Sequence, residues 1–278
     1  MERQGRTLTR CVDMFIPPAA VIYAGTGEKF DPALEVFDVK IPLLQRYWRE
    51  LLYLSPSLEA DLQGLDMQGY MDASAAMLRQ RVQTNADDAR SISLAVVDWL
   101  ADDLKAAGVW LTRGTRADRG FQNVVTGRYL CPIFLDYDNK TVREDLLRGT
   151  LPFTAGGLPT FLFDLEKFDL GAPWKSLLRG PLIVLAWYHI FDRPYLRERA
   201  YKMSLPYTSV ARSHGMIQVT IGSILYATTL VHLALSTTTS MHHEHSDVRA
   251  LHKVLVDFVN DPDNLDIVES LLRWWNRY

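Results

Sequence analysis

The chain has 278 residues, 48% of them hydrophobic, with seven Trp, twelve Tyr and eleven Phe. That much apolar surface excludes a disordered chain and supports a sizeable core. The net charge of −3 gives no pull towards nucleic acid or an anionic membrane, and two cysteines, Cys11 and Cys131, make no disulfide framework, which favours a reducing compartment.

Arg3, Arg6 and Arg10 precede an apolar stretch in the manner of a signal peptide. Asp13 and Pro17-Pro18 interrupt that stretch, so secretion is not expected. Gly25-Thr26-Gly27 lacks the third glycine of a dinucleotide fingerprint and reads as a turn. The dominant period after that is helical. Ile41, Leu44, Trp48, Leu51 and Leu52 form one apolar stripe, and Met67, Tyr70, Met71, Ser74, Leu78 and Val82 a second. Ile92, Val96, Trp99, Leu100 and Leu104 form a third, followed by Gly108 where a C-cap glycine belongs.

From Thr112 to Gly171 the chain is rich in Gly, Pro and Asp. Tyr129 to Leu135 and Thr160 to Leu165 read as extended runs, the first demoted to an edge or loop by Pro132. Helices resume at Trp174, and Gly180-Pro181 starts a new one whose residues Leu182 to Phe191 are almost wholly apolar. Residues 213–243 contain no Asp, Glu, Lys or Arg, although such residues make up 23% of the chain. A run that rejects charge lies in lipid or in a protein core. Gln218, Thr220, Ser223, Thr228, Thr229 and His232 weaken the lipid reading, and no Lys/Arg cluster flanks the run. The expectation is a buried helix from Thr220 to Ser236, apolar on every face. Ser246 or Asp247 then starts a helix, and Asp261-Pro262 starts the last one, with Ile267, Leu271 and Trp274 or Trp275 facing inwards.

These elements predict a mainly α chain, a compact multi-helix bundle around a buried central helix, with a short irregular or β-hairpin insertion near residues 121–165. One domain over 1–278 is expected, with a weak internal boundary near 108–120.

From Gly120 onwards, ordered blocks resemble an uncharacterised domain family of mushroom-forming (basidiomycete) fungi. Gly120-Phe121, Thr126-Gly127 and Leu130-Cys131-Pro132 carry the first part, and Pro159 to Leu162, Pro173-Trp174-Lys175 and Leu177-Leu178-Arg179 the second. His189-Ile190-Phe191, Ala211 to Met216 with Val219-Thr220, Ala234 to Ser236, and Trp274 to Arg277 complete it. The resemblance implies a fungal intracellular domain, cytoplasmic or nuclear, and brings no activity, cofactor or catalytic residue. It also implies that the histidine cluster described next belongs to this chain and not to the family.

His242, His243 and His245 with Glu244 offer three imidazoles and a carboxylate, a ligand set suited to a divalent transition metal. Only His242 and His245 would share a helical face, and the order matches no zinc-protease motif. A polar helix entry explains the same residues. Arg212 and His214 precede the buried helix and would hold a carboxylate or phosphate there. A structural histidine beside a solvated basic face is the plain alternative. His232, alone among Leu and Val, reads first as a core residue. Trp174, with neighbouring Lys175, could line a ligand pocket, although buried aromatics are more often core. GxSxG, P-loop and CxxC motifs are absent, and Asp102-Asp103-Leu104-Lys105-Ala106 lacks the third acid of a terpene-cyclase signature.

Two functions follow. The first is a non-catalytic ligand-binding or interaction domain using Trp174, Lys175, Arg212 and His214, its partner a small molecule or a protein, away from membranes. The second is a small-molecule enzyme with His214, His232 or Arg212 as catalytic groups, with or without metal at His242, His243, Glu244 and His245.

Overall fold

The computed structural model describes residues 1–27, 41–150, 157–192, 209–238 and 247–277. In chain order the helices are α1 (Glu2–Thr7), α2 (Pro18–Thr26), α3 (Ile41–Leu54), α4 (Leu58–Leu62), α5 (Met67–Trp99), α6 (Ala101–Ala107), α7 (Val124–Leu130), α8 (Lys140–Arg148), α9 (Pro181–Phe191), α10 (Val210–Ser213), α11 (Ile221–Leu235), α12 (Asp247–Asn260) and α13 (Leu265–Trp275). Among the described residues there is no strand, so the chain is mainly α as its periodicity predicts. It divides into two compact units, Met1–Asp87 with Phe191–Tyr226, and Asp88–Ile190 with Ala227–Tyr278.

In the first unit, α1 runs into a π-helical turn, Leu8–Val12. Asp13, the residue that interrupts the apolar N-terminal stretch, is buried and structural. Its Oδ1 accepts from the amides of Phe15 (2.7 Å) and Ile16 (3.0 Å), and Tyr47 donates its hydroxyl to Oδ2 (3.2 Å). Pro18 occupies the first turn of α2, where a missing N–H costs nothing. On α3, Leu44, Tyr47, Trp48, Leu51 and Leu54 are buried, close to the expected stripe.

The second predicted stripe is different. Met67, Met71, Leu78 and Val82 are 64%, 43%, 39% and 48% exposed, so the apolar face of early α5 is not core. Ala73, Met77, Thr84 and Asn85 are the buried residues there. Ala73, Met77 and two polar residues take the inner face, and the large apolar side chains of the expected stripe stay outside.

In the second unit, Ile92, Val96, Leu100 and Leu104 are buried as expected, and α6 ends on Gly108 in the left-handed conformation (φ 66°). Of the irregular or β-hairpin insertion expected near 121–165, the described residues show the irregular form with short helices and no hairpin. Asn123 instead accepts from the amides of Val125 and Thr126, which starts α7 where an extended run at Tyr129 was expected. Pro132 then ends the helix, and only isolated bridges, Pro132 with Pro159 and Phe163 with Leu177, remain of extended pairing. Trp174 starts no long helix; Pro173–Lys175 is a single 3₁₀ turn. Arg119 is fully buried, its two terminal nitrogens donating to the carbonyls of Ala234 and Ser93. A guanidinium placed at the last carbonyls of α11 satisfies acceptors that the helix cannot.

Every residue of α11 from Gly222 to Leu235 is buried, which matches the charge-free run. Thr220 caps it, its hydroxyl accepting from Ser223 N (3.1 Å) and donating to the Cys11 carbonyl (2.8 Å). No described helix is long and apolar enough to cross a membrane.

Candidate functional site

A candidate site lies wholly in the second unit, at the C-terminal part of α13. Ser270, Arg273 and Trp274 stand at i, i+3 and i+4, which puts them on one face of α13, and Arg277 follows in the turn just past its end. Leu271 and Trp275 are buried beside them, so the packing that anchors α13 leaves that face open. Arg179 joins it from the segment that enters α9. The five side chains line a pocket of about 390 Å³ that opens to solvent.

The segment carrying Arg179 is held on both sides. Leu178 is fully buried and has a positive φ of 58°, the only non-glycine residue so placed among those described. For a leucine this conformation costs about 1–2 kcal/mol. It is held by Trp275, whose indole N–H donates to the Leu178 carbonyl at 3.0 Å. On the other side, a Cβ at Gly180 would collide with the Phe161 carbonyl oxygen, so only glycine fits. Arg179 therefore projects from a strained, pinned backbone. Its guanidinium lies 5.5 Å from the centroid of the Trp274 ring, and its Nη2 donates to Ser270 Oγ at 3.4 Å. Its Nε is buried without a hydrogen-bond partner. Burial lowers the Arg179 pKa, and the nearby Asp164 carboxylate opposes that. Asp164 is itself paired with Lys167 at 2.8 Å. Among the described residues no carboxylate lines the pocket. Three guanidiniums on an aromatic floor are suited to a phosphate or carboxylate, which a planar fork binds through two parallel hydrogen bonds.

Of the residues singled out in the sequence, Trp174 and Lys175 come nearest to this pocket. Their turn packs on α13, both are exposed, and neither lines the pocket. Arg179, Arg273 and Arg277 were not picked out as site residues, although two of the family-like blocks, Leu177-Leu178-Arg179 and Trp274 to Arg277, meet here. The signal available was the helical spacing of Ser270, Arg273 and Trp274.

Arg212 and His214 belong to the first unit. Arg212 is exposed on α10, and His214 is only 2% exposed. Arg10 Nη1 lies 3.2 Å from His214 Nε2, so Nε2 accepts, and Nδ1 carries the proton that it donates to Thr7 Oγ1 at 2.9 Å. Burial, with Arg10, Arg6 and Arg3 adding positive charge, pushes the His214 pKa down to about 3. Both ring nitrogens are engaged and the imidazole is neutral. His232, in the second unit, stacks on Phe161 with ring centroids 6.0 Å apart. Burial pushes it down to about 4, and its Nδ1 has no hydrogen-bond partner. The structure does not bring His214 and His232 together within either unit. His242, His243, Glu244 and His245 lie outside the described residues, and among the described residues no group of three or more His, Cys, Asp or Glu is placed to hold a metal.

Comparison with curated proteins and with solved structures returns no match. Residues 79–278 match the model of a family of unknown function, DUF6698, a span that includes both halves of the arginine pocket, and the chain belongs to that family.

Proposed function

We propose that this protein is a non-catalytic binding module that holds an anionic group, a phosphate or a carboxylate, on Arg179, Arg273 and Arg277. One observation carries the reading: three guanidiniums and Trp274 line one open pocket, with no acid among its described lining residues. The pinned backbone at Leu178 adds pre-organisation, which lowers the entropy cost of binding. The resemblance to a fungal family and the two buried free thiols support a fungal intracellular protein, cytoplasmic or nuclear. The enzyme reading has less support, because the His214 ring nitrogens are both engaged and His232 is buried among apolar side chains.

Titration with inorganic phosphate and with acetate, followed by calorimetry at low and high salt, tests the reading. The wild type binds phosphate, and binding weakens as salt rises. Arg273→Gln/Arg277→Gln, two changes at pocket-lining side chains on α13 and in the turn after it, weakens binding at least tenfold and leaves the melting temperature unchanged. Equal binding of phosphate by the wild type and the double variant removes the proposal.

A further inference from the structure

The exposed stripe on α5 is left uncovered by the described residues of the first unit and is too regular to be scattered surface. Met67 and Leu78 are eleven residues apart, as are Met71 and Val82. An eleven-residue repeat keeps apolar side chains on one face of an almost straight helix. Between them sit Ser74 and Ala75, both half-buried and small enough for close approach. The stripe is about 22 Å long. One edge of it carries Gln68, Asp72, Arg79 and Gln83, all exposed. Asp72 accepts from Gln68 Nε2 at 2.9 Å. Arg79 makes no ion pair with a described residue.

We infer that this face is covered by the same face of a second copy of the chain, the two α5 helices running antiparallel. Reversing a copy about the Ser74–Ala75 midpoint sets Met67 against Val82 and Met71 against Leu78. In an antiparallel pair the same edge meets the same edge, so Asp72 comes within about one turn of Arg79 of the second copy, and Arg79 of Asp72. Both pairs form at once, as a two-fold axis requires. The complement to this surface is the surface itself, and that is the argument for a second copy over an unrelated partner. A contact four large side chains long on each copy falls at the small end of stable interfaces, about 1,200 Å² in total. The dimer is therefore weak and concentration-dependent, with the apolar stripe supplying affinity and the charges fixing register.

Sedimentation equilibrium of the full chain over a wide concentration range tests this. The wild type shows reversible dimers, and Met71→Asp/Leu78→Asp weakens them at least tenfold. Asp72→Arg alone and Arg79→Asp alone each weaken association several-fold. The double swap Asp72→Arg/Arg79→Asp restores it, and an equimolar mixture of the two single variants forms a heterodimer, because each then offers the charge the other lacks. Circular dichroism and melting of each variant show that the exposed substitutions leave the fold intact. A wild type that stays monomeric overturns the inference, as does one whose dimer is unaffected by the apolar double variant. Loss on charge reversal without rescue in the swap or the mixture overturns it as well.

Discussion

His214 in the first unit and His232 in the second are buried to a similar degree and both are neutral, yet their surroundings have little in common. His214 is wired into a polar shell: Thr7 accepts a hydrogen bond from its Nδ1, Arg10 donates to its other nitrogen, and Arg6 and Arg3 add positive potential. His232 sits against Phe161 in an apolar core, with burial alone holding it neutral and Nδ1 without a partner. The first histidine organises its neighbours, and the second is merely contained by them. A lowered pKa marks both and so cannot by itself single out a functional histidine; the hydrogen-bond partners separate them.

Acid should affect both at once, and most strongly. An unfolded histidine titrates near 6.5, whereas the folded values are about 3 and about 4. The unfolded chain therefore binds more protons in the interval between. The stability linked to each histidine is complete above pH 6.5 and is lost as pH falls towards its folded value. The slope reaches about 1.4 kcal/mol per pH unit for each group. Urea unfolding from pH 7 to pH 5 reads it before most carboxylates titrate. A stability that does not fall over that range would show that neither imidazole is kept neutral by the fold.

The single substitution His214→Leu ranks next. It removes the acceptor for Arg10 and the donor for Thr7, and leaves the buried Thr7 hydroxyl without that partner. Buried polar groups stripped of a partner cost about 1–3 kcal/mol each, so a loss of about 2–4 kcal/mol is expected. The acid slope should shrink in the same variant. Unchanged stability would mean that the Thr7 and Arg10 contacts contribute nothing.

How much of this was legible beforehand depended on distance along the chain. The burial of α11 was readable because a charge-free run with no polar face has only one stable place in a globular protein. The caps at Thr220 and Asp261 and the Gly108 terminus were readable because they are local. The wiring of His214 was not, because Thr7 and Arg10 lie more than two hundred residues earlier. The α5 stripe was readable as amphipathic, but periodicity cannot say that Ala73 and Met77 take the inner face. The arginine pocket was half readable. The α13 spacing placed three of its residues on one face, while Arg179 arrives from almost a hundred residues away, held by a leucine conformation that no sequence rule predicts.

The smallest effect is the most discriminating. His232→Leu removes a buried nitrogen that has no partner and keeps an apolar side chain of similar size in its place. The ring stacking on Phe161 is lost, which costs a fraction of about 1 kcal/mol, while the desolvation cost of the orphaned nitrogen is recovered. The balance favours the variant by up to about 1 kcal/mol at neutral pH, and by more at pH 5, because the variant no longer has a histidine that takes up a proton on unfolding. Thermal melts at the two pH values check both statements. Marked destabilisation at neutral pH would mean that His232 holds a contact its geometry does not reveal. It would then resemble His214, and the contrast between the two histidines would fail.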